Sequence, residues 1–124
     1  MGLLPHDKQY LDENDFNYEL QENLGETILI IKDYPISTLM FDKDKVKILI
    51  KIPKGYPMAR LDMFWITPHI RLNGTSSFPQ NADLIETIVG DNWQRFSRHY
   101  PWKPTFDLQM HLNVVKEVLV NGRG

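Results

Sequence analysis

The chain has 124 residues, a formal net charge of −2 and no cysteine. That length suits one domain, expected to span residues 1–124, and the ordinary balance of apolar and charged residues suits a globular fold. The weak charge gives no reason to expect nucleic acid or an acidic membrane as partner, no apolar run reaches the ~20 residues of a membrane span, and the missing cysteine removes disulfides, zinc–thiolate sites and thiolate nucleophiles together.

Met1–Tyr10 lacks the apolar centre of a signal peptide, so the expected location is cytoplasmic. Pro5 suits a first helical position, which predicts a short helix over 5–13 with Tyr10 and Leu11 on its apolar side. Phe16, Tyr18 and Leu20 alternate with polar residues, as in a strand. After the Asn23-Leu24-Gly25 turn signal, Thr27–Ile31 reads as a well-buried strand. Val46, Ile48, Ile50 and Ile52 alternate with Lys47, Leu49 and Lys51, giving a half-buried strand with a partly lysine-covered face. A stiff Pro53–Pro57 turn leads to a short apolar strand, Leu61–Ile66, stopped by Thr67-Pro68. Asn73–Ser77 is a loop tip. Residues 78–90 are expected to hold a helical turn or two around Leu84, Ile85 and Ile88. Thr105 reads as a helix N-cap with Asp107 in the first turn. Leu108, Leu112, Val115 and Leu119 recur at helical steps, predicting a C-terminal amphipathic helix ended by Asn121-Gly122. The class is α+β: a short N-terminal helix, an antiparallel meander of about four strands, a long irregular segment and a final helix.

The segment Trp93–Pro104 concentrates two tryptophans, two prolines, Phe96, Tyr100, Arg95, Arg98, Ser97 and His99. Its aromatics anchor it and its prolines stiffen it. Ser97 needs an adjacent base to act as a nucleophile. His99 is the nearest imidazole, and in an extended backbone the two share a face. Read alone, Ser97 is a loop serine bonding its own backbone before it is a nucleophile, and His99 is equally a structural histidine under Trp102. Arg98 could stabilise an oxyanion or hold a carboxylate tail, while Arg95 reads as surface charge. Trp65, Trp93 and Trp102 read as packing, with Trp102, Trp93 and Tyr100 as candidate walls of the site. Asp62 reads as a structural turn carboxylate, and Asp107 could orient His99. His6, His69 and His111 lack metal-ligand spacing, so no metal and no other cofactor is expected; His111 reads as an ordinary helix residue. The absence of a Gly-x-Ser-x-Gly elbow argues against a plain hydrolase.

Several landmarks stand in a familiar order: Leu4-Pro5 with Asp7 and Tyr10-Leu11; Gly55-Tyr56-Pro57; Leu61-Asp62-Met63-Phe64-Trp65; Trp93-Gln94-Arg95-Phe96-Ser97-Arg98-His99; then Trp102-Lys103-Pro104 and Asp107. Together they resemble the ubiquitin-conjugating (UBC) E2 fold, and more narrowly the bacterial E2-like proteins called prokaryotic E2 family E. The resemblance implies a carrier that accepts a ubiquitin-like protein from an E1-like adenylating enzyme. It also implies a peptidase encoded in the same operon. Ordinary E2 enzymes use a cysteine thioester. Here alignment on Trp102-x-Pro104 puts Ser97 near the cysteine's place, and Pro68-His69-Ile70 does not reproduce the family's His-Pro-Asn. The resemblance thus implies either an acyltransferase working through an oxyester on Ser97, with His99 and Arg98 assisting, or an inactive variant that only binds the modifier or scaffolds its E1. The first needs the Ser97 hydroxyl outside the core with an imidazole in reach.

Overall fold

The computed structural model describes residues 2–122. Helix α1, Pro5–Glu13, starts at Pro5 as its fixed φ favours. Six strands follow: β1 Asn17–Asn23, β2 Glu26–Pro35, β3 Lys45–Ile52, β4 Phe64–Thr67, β5 Leu84–Ile88 and β6 Asp91–Phe96; helix α2, Leu108–Leu119, closes the chain. They form one antiparallel sheet in the order β1-β2-β3-β4-β6-β5. The expected four-strand meander is present, and a β5–β6 hairpin extends it to six. This corrects the helical reading of 78–90. Leu84, Ile85 and Ile88 have a spacing that also suits helix, but the exposed Leu84 and Ile85 stand on opposite faces of an edge strand. Trp93–Phe96, read as irregular, lies in β6.

Both helices lie on one face. Leu29, Ile31, Ile48, Ile50, Phe64, Ile66 and Phe96 share the main core with Leu11, Leu108, Leu112, Val115 and Leu119. The other face buries a smaller cluster of Ile28, Ile30, Leu49, Trp65, Ile88 and Trp93. Strand β2 is therefore buried on both sides, which explains its unbroken apolar run. Lys51 lies over the Trp65 ring at 4.6 Å, so part of the lysine-covered face is a cation–π lid.

The α2 N-cap is Asp107, whose carboxylate accepts from Met110 N, and not Thr105. Asp7, almost fully buried, joins three elements. Its Oδ2 accepts from Leu4 N at 3.0 Å and from the Tyr56 hydroxyl at 2.7 Å, and its Oδ1 from Leu108 N at 3.2 Å.

Candidate functional site

Strands β4 and β6 pair Phe64 with Phe96 and Trp65 with Arg95. One further step of that register sets Met63 against Ser97, just past the ladder and on the face away from the helices. Ser97 is half-buried. Its N–H donates to Asn81 O at 3.1 Å, and its Oγ lies 3.8 Å from Met63 Sδ. The hydroxyl is thus outside the core, but it is not hydrogen-bonded to His99.

His99 has another partner: its Nδ1 is 2.8 Å from Asp62 Oδ1. An ionised carboxylate only accepts, so Nδ1 carries the proton and, in the neutral ring, Nε2 keeps the basic lone pair. The side chains are 60% and 31% exposed, so the pair adds little stability but stays open to a docking molecule. Asp62, read as structural, is the residue that orients His99. Asp107 is elsewhere, 3.1 Å from His6.

Between Asp62 and β4, Met63 adopts a left-handed φ of 58°, which costs a non-glycine residue roughly 1–2 kcal/mol. Its carbonyl is held by His111 Nε2 at 2.8 Å, and His111 Nδ1 meets the Tyr100 hydroxyl at 2.7 Å. His111 is fully buried, and burial pushes its imidazole down to about 4, against the opposing pull of the Met63 bond and the Asp62 charge. A neutral ring donating from Nε2 must accept at Nδ1, so Tyr100 donates. Burial first, and then Asp62, raise the Tyr100 hydroxyl above its ordinary value.

The site so assembled is a half-buried serine two residues from a carboxylate-backed imidazole, braced by the half-buried Tyr100 and the buried His111. The family model of "Prokaryotic E2 family E" matches residues 3–121. The chain belongs to that family. No curated protein and no solved structure shows a significant match to it. Membership in an E2-like family gives it a transferase-type role in ubiquitin-like conjugation, with a ubiquitin-like protein and an E1-like enzyme as the general kinds of partner. Among the described residues no helix is long and apolar enough to cross a membrane.

The remaining predicted residues of this E2-like protein fall into two groups. Trp102 donates to Pro57 O at 2.8 Å and sits among Tyr56, Tyr100 and Phe106, with ring centroids 5.7–6.3 Å away. Trp102 and Tyr100 thus form an aromatic wall bordering the His99 segment. Arg98 and Trp93 point elsewhere. Arg98 Nη1 donates to Gln80 O at 2.7 Å and Ser97 O at 3.2 Å, and the guanidinium lies 5.4 Å from the Phe96 ring centroid. Burial lowers its pKa, and its Nε is buried without a partner. Its place over Phe96, a residue of the helix-side core, puts the guanidinium on the helix side of the sheet. Trp93 donates to Ile88 O at 3.1 Å within the second core cluster.

Two supports were invisible in the sequence. Gln94, 1% exposed, grips Ile70 N and O and Ala82 O at 2.7–3.1 Å, fixing the long β4–β5 connection. His6, Asp7 and Asp107 bring ligand atoms within 4.8 Å of one another. Their oxygens already accept from Leu4, Tyr56, Leu108 and Met110, which makes this group a helix-capping network.

Proposed function

We propose that this single E2-like domain accepts a ubiquitin-like protein from an E1-like adenylating enzyme in the cytoplasm, as an oxyester on Ser97, and passes it to a target amine. Ser97 Oγ attacks the activated C-terminal carbonyl of the modifier. The new C–O bond forms as the bond to the E1-side leaving group breaks, and the hydroxyl proton goes to His99. The amine then forms the C–N bond, and the serine oxygen leaves and regains a proton. The observation that carries this reading is the Asp62-backed imidazole two residues from a half-buried serine, in an E2-family chain without cysteine. Asp62 joins the sequence-derived set as the orienter of the base; Arg98 supports the reading as a clamp on the loop beside Ser97. A peptidase from the same operon would remove or mature the modifier.

The test is incubation with the E1-like enzyme, ATP and modifier. The expected product is an adduct cleaved by hydroxide and resistant to thiols, and absent in Ser97→Ala. An adduct that persists in Ser97→Ala overturns the assignment. A second reading, an inactive variant that binds the modifier or scaffolds the E1, is favoured by the Ser97 Oγ facing Met63 Sδ and not His99. It predicts modifier binding with no covalent product and indifference to Ser97→Ala.

A further inference from the structure

We infer that His111, acting with Tyr100, is the positioning residue for the Asp62–His99 pair. The contacts close a ring. His111 Nε2 donates to Met63 O, Met63 follows Asp62 in the chain, Asp62 accepts from His99, His99 precedes Tyr100, and Tyr100 donates back to His111 Nδ1. One imidazole on α2 therefore fixes both segments that carry the site, the 62–63 corner and the 99–100 stretch. Neither segment is held there by the sheet: Met63 precedes β4, and His99 and Tyr100 follow β6.

The parts are matched to this use. A left-handed Met63 aims its carbonyl at α2, and such a conformation persists where surrounding contacts determine it. His111 is fully buried, which shields its side of both bonds from water. The depressed basicity of His111 keeps one nitrogen a donor and the other an acceptor through the neutral range, as the two partners require. His99, by contrast, is exposed and held by a single bond. An exposed pair of this kind keeps its geometry only if both backbones are anchored. The inference rests on the proposed function for its catalytic meaning, but the geometry belongs to the free protein.

The experiment reads ¹⁵N shifts of the His99 ring in the free chain at mildly alkaline pH, where they report which nitrogen carries the proton. Wild type and His111→Gln, which keeps a donor and an acceptor, are expected to show the Nδ1–H form. Tyr100→Phe and His111→Leu are expected to show a mixture dominated by Nε2–H. An unchanged His99 pattern in folded Tyr100→Phe overturns the inference, whether or not His111→Leu folds. In the adduct assay, Tyr100→Phe is expected to slow formation by up to roughly a hundredfold, as misplacement on the order of 1 Å does, and His111→Gln to restore it relative to His111→Leu. A wild-type chain that forms no adduct sinks the proposed function while leaving the ring-nitrogen result to decide this one.

Discussion

Replacing Asp7 by asparagine tests whether one carboxylate ties together both helix starts and the β3–β4 turn. Asp7 is 1% exposed and receives three donors: Leu4 N and the Tyr56 hydroxyl on Oδ2, and Leu108 N on Oδ1. Asparagine has one oxygen. If its amide nitrogen takes the Oδ1 place, Leu108 N–H faces another donor; if it takes the Oδ2 place, Leu4 N–H does. A buried unpaired N–H costs ~1–3 kcal/mol, and the surviving bonds lose their charge assistance, so Asp7→Asn should destabilise by about 2–4 kcal/mol. Tyr56→Phe removes one donor and leaves the carboxylate two, so it should cost only ~1–2 kcal/mol. Because the residues touch, the double variant should fall short of additivity by ~0.5 kcal/mol or more. Urea denaturation measures all three. An Asp7→Asn chain within about 0.5 kcal/mol of wild type, the range of an ordinary surface change, refutes the reasoning.

Leu112, 3% exposed on the inner side of α2, should cost ~2–5 kcal/mol as Leu112→Ala; a loss well below that in chemical denaturation would mean the helix is not seated as described. His111 makes stability depend on pH. Its folded-state pKa, about 4, lies below the ordinary 6.5, so the unfolded chain takes up a proton first and stability falls as pH drops from 6.5 towards 4. At ~1.4 kcal/mol per pKa unit the loss approaches about 3 kcal/mol, and His111→Gln, which cannot titrate there, should flatten that part of the curve; an equally steep curve in the variant would remove His111 as its cause.

Patterns that depend on near neighbours were legible. Pro5 opened α1, the apolar steps of Leu108 to Leu119 gave α2, and alternation gave β3. The β5–β6 hairpin was missed because the apolar residues of Leu84–Ile88 have no strict alternation, and an edge strand need bury little. At the site, Ser97 and His99 stood out because aromatic and proline neighbours marked their segment. Asp62 did not: it lies 37 residues from His99, and the β4–β6 pairing that brings the two segments near each other cannot be read from either one. Nor did His111, whose importance lies in Met63 and Tyr100 meeting it from two strands' ends. Arg98, flanked by both site residues, was misleading for the opposite reason. Adjacency in an extended chain means opposite faces, and its guanidinium serves the 80–82 loop.

Those placements bear on how serine could replace cysteine. A hydroxyl is a poorer nucleophile than a thiolate and its ester is less reactive to amines, so an oxyester on Ser97, as proposed, requires more transition-state stabilisation than an ordinary E2 supplies. One oxyanion donor is worth ~3 kcal/mol. Two donors close to Ser97 in sequence are engaged elsewhere: its own N–H with Asn81 O, and Arg98 Nη1 with the carbonyls of Gln80 and Ser97. On the proposed reading, therefore, a docked E1-like enzyme or modifier completes the oxyanion site. The isolated chain should then leave a generic activated ester untouched at the rate of buffer, although it carries serine, histidine and carboxylate within one corner of the fold. Ester hydrolysis by the isolated chain that disappears in Ser97→Ala would show a finished oxyanion site already present, and would turn the reading towards a hydrolase.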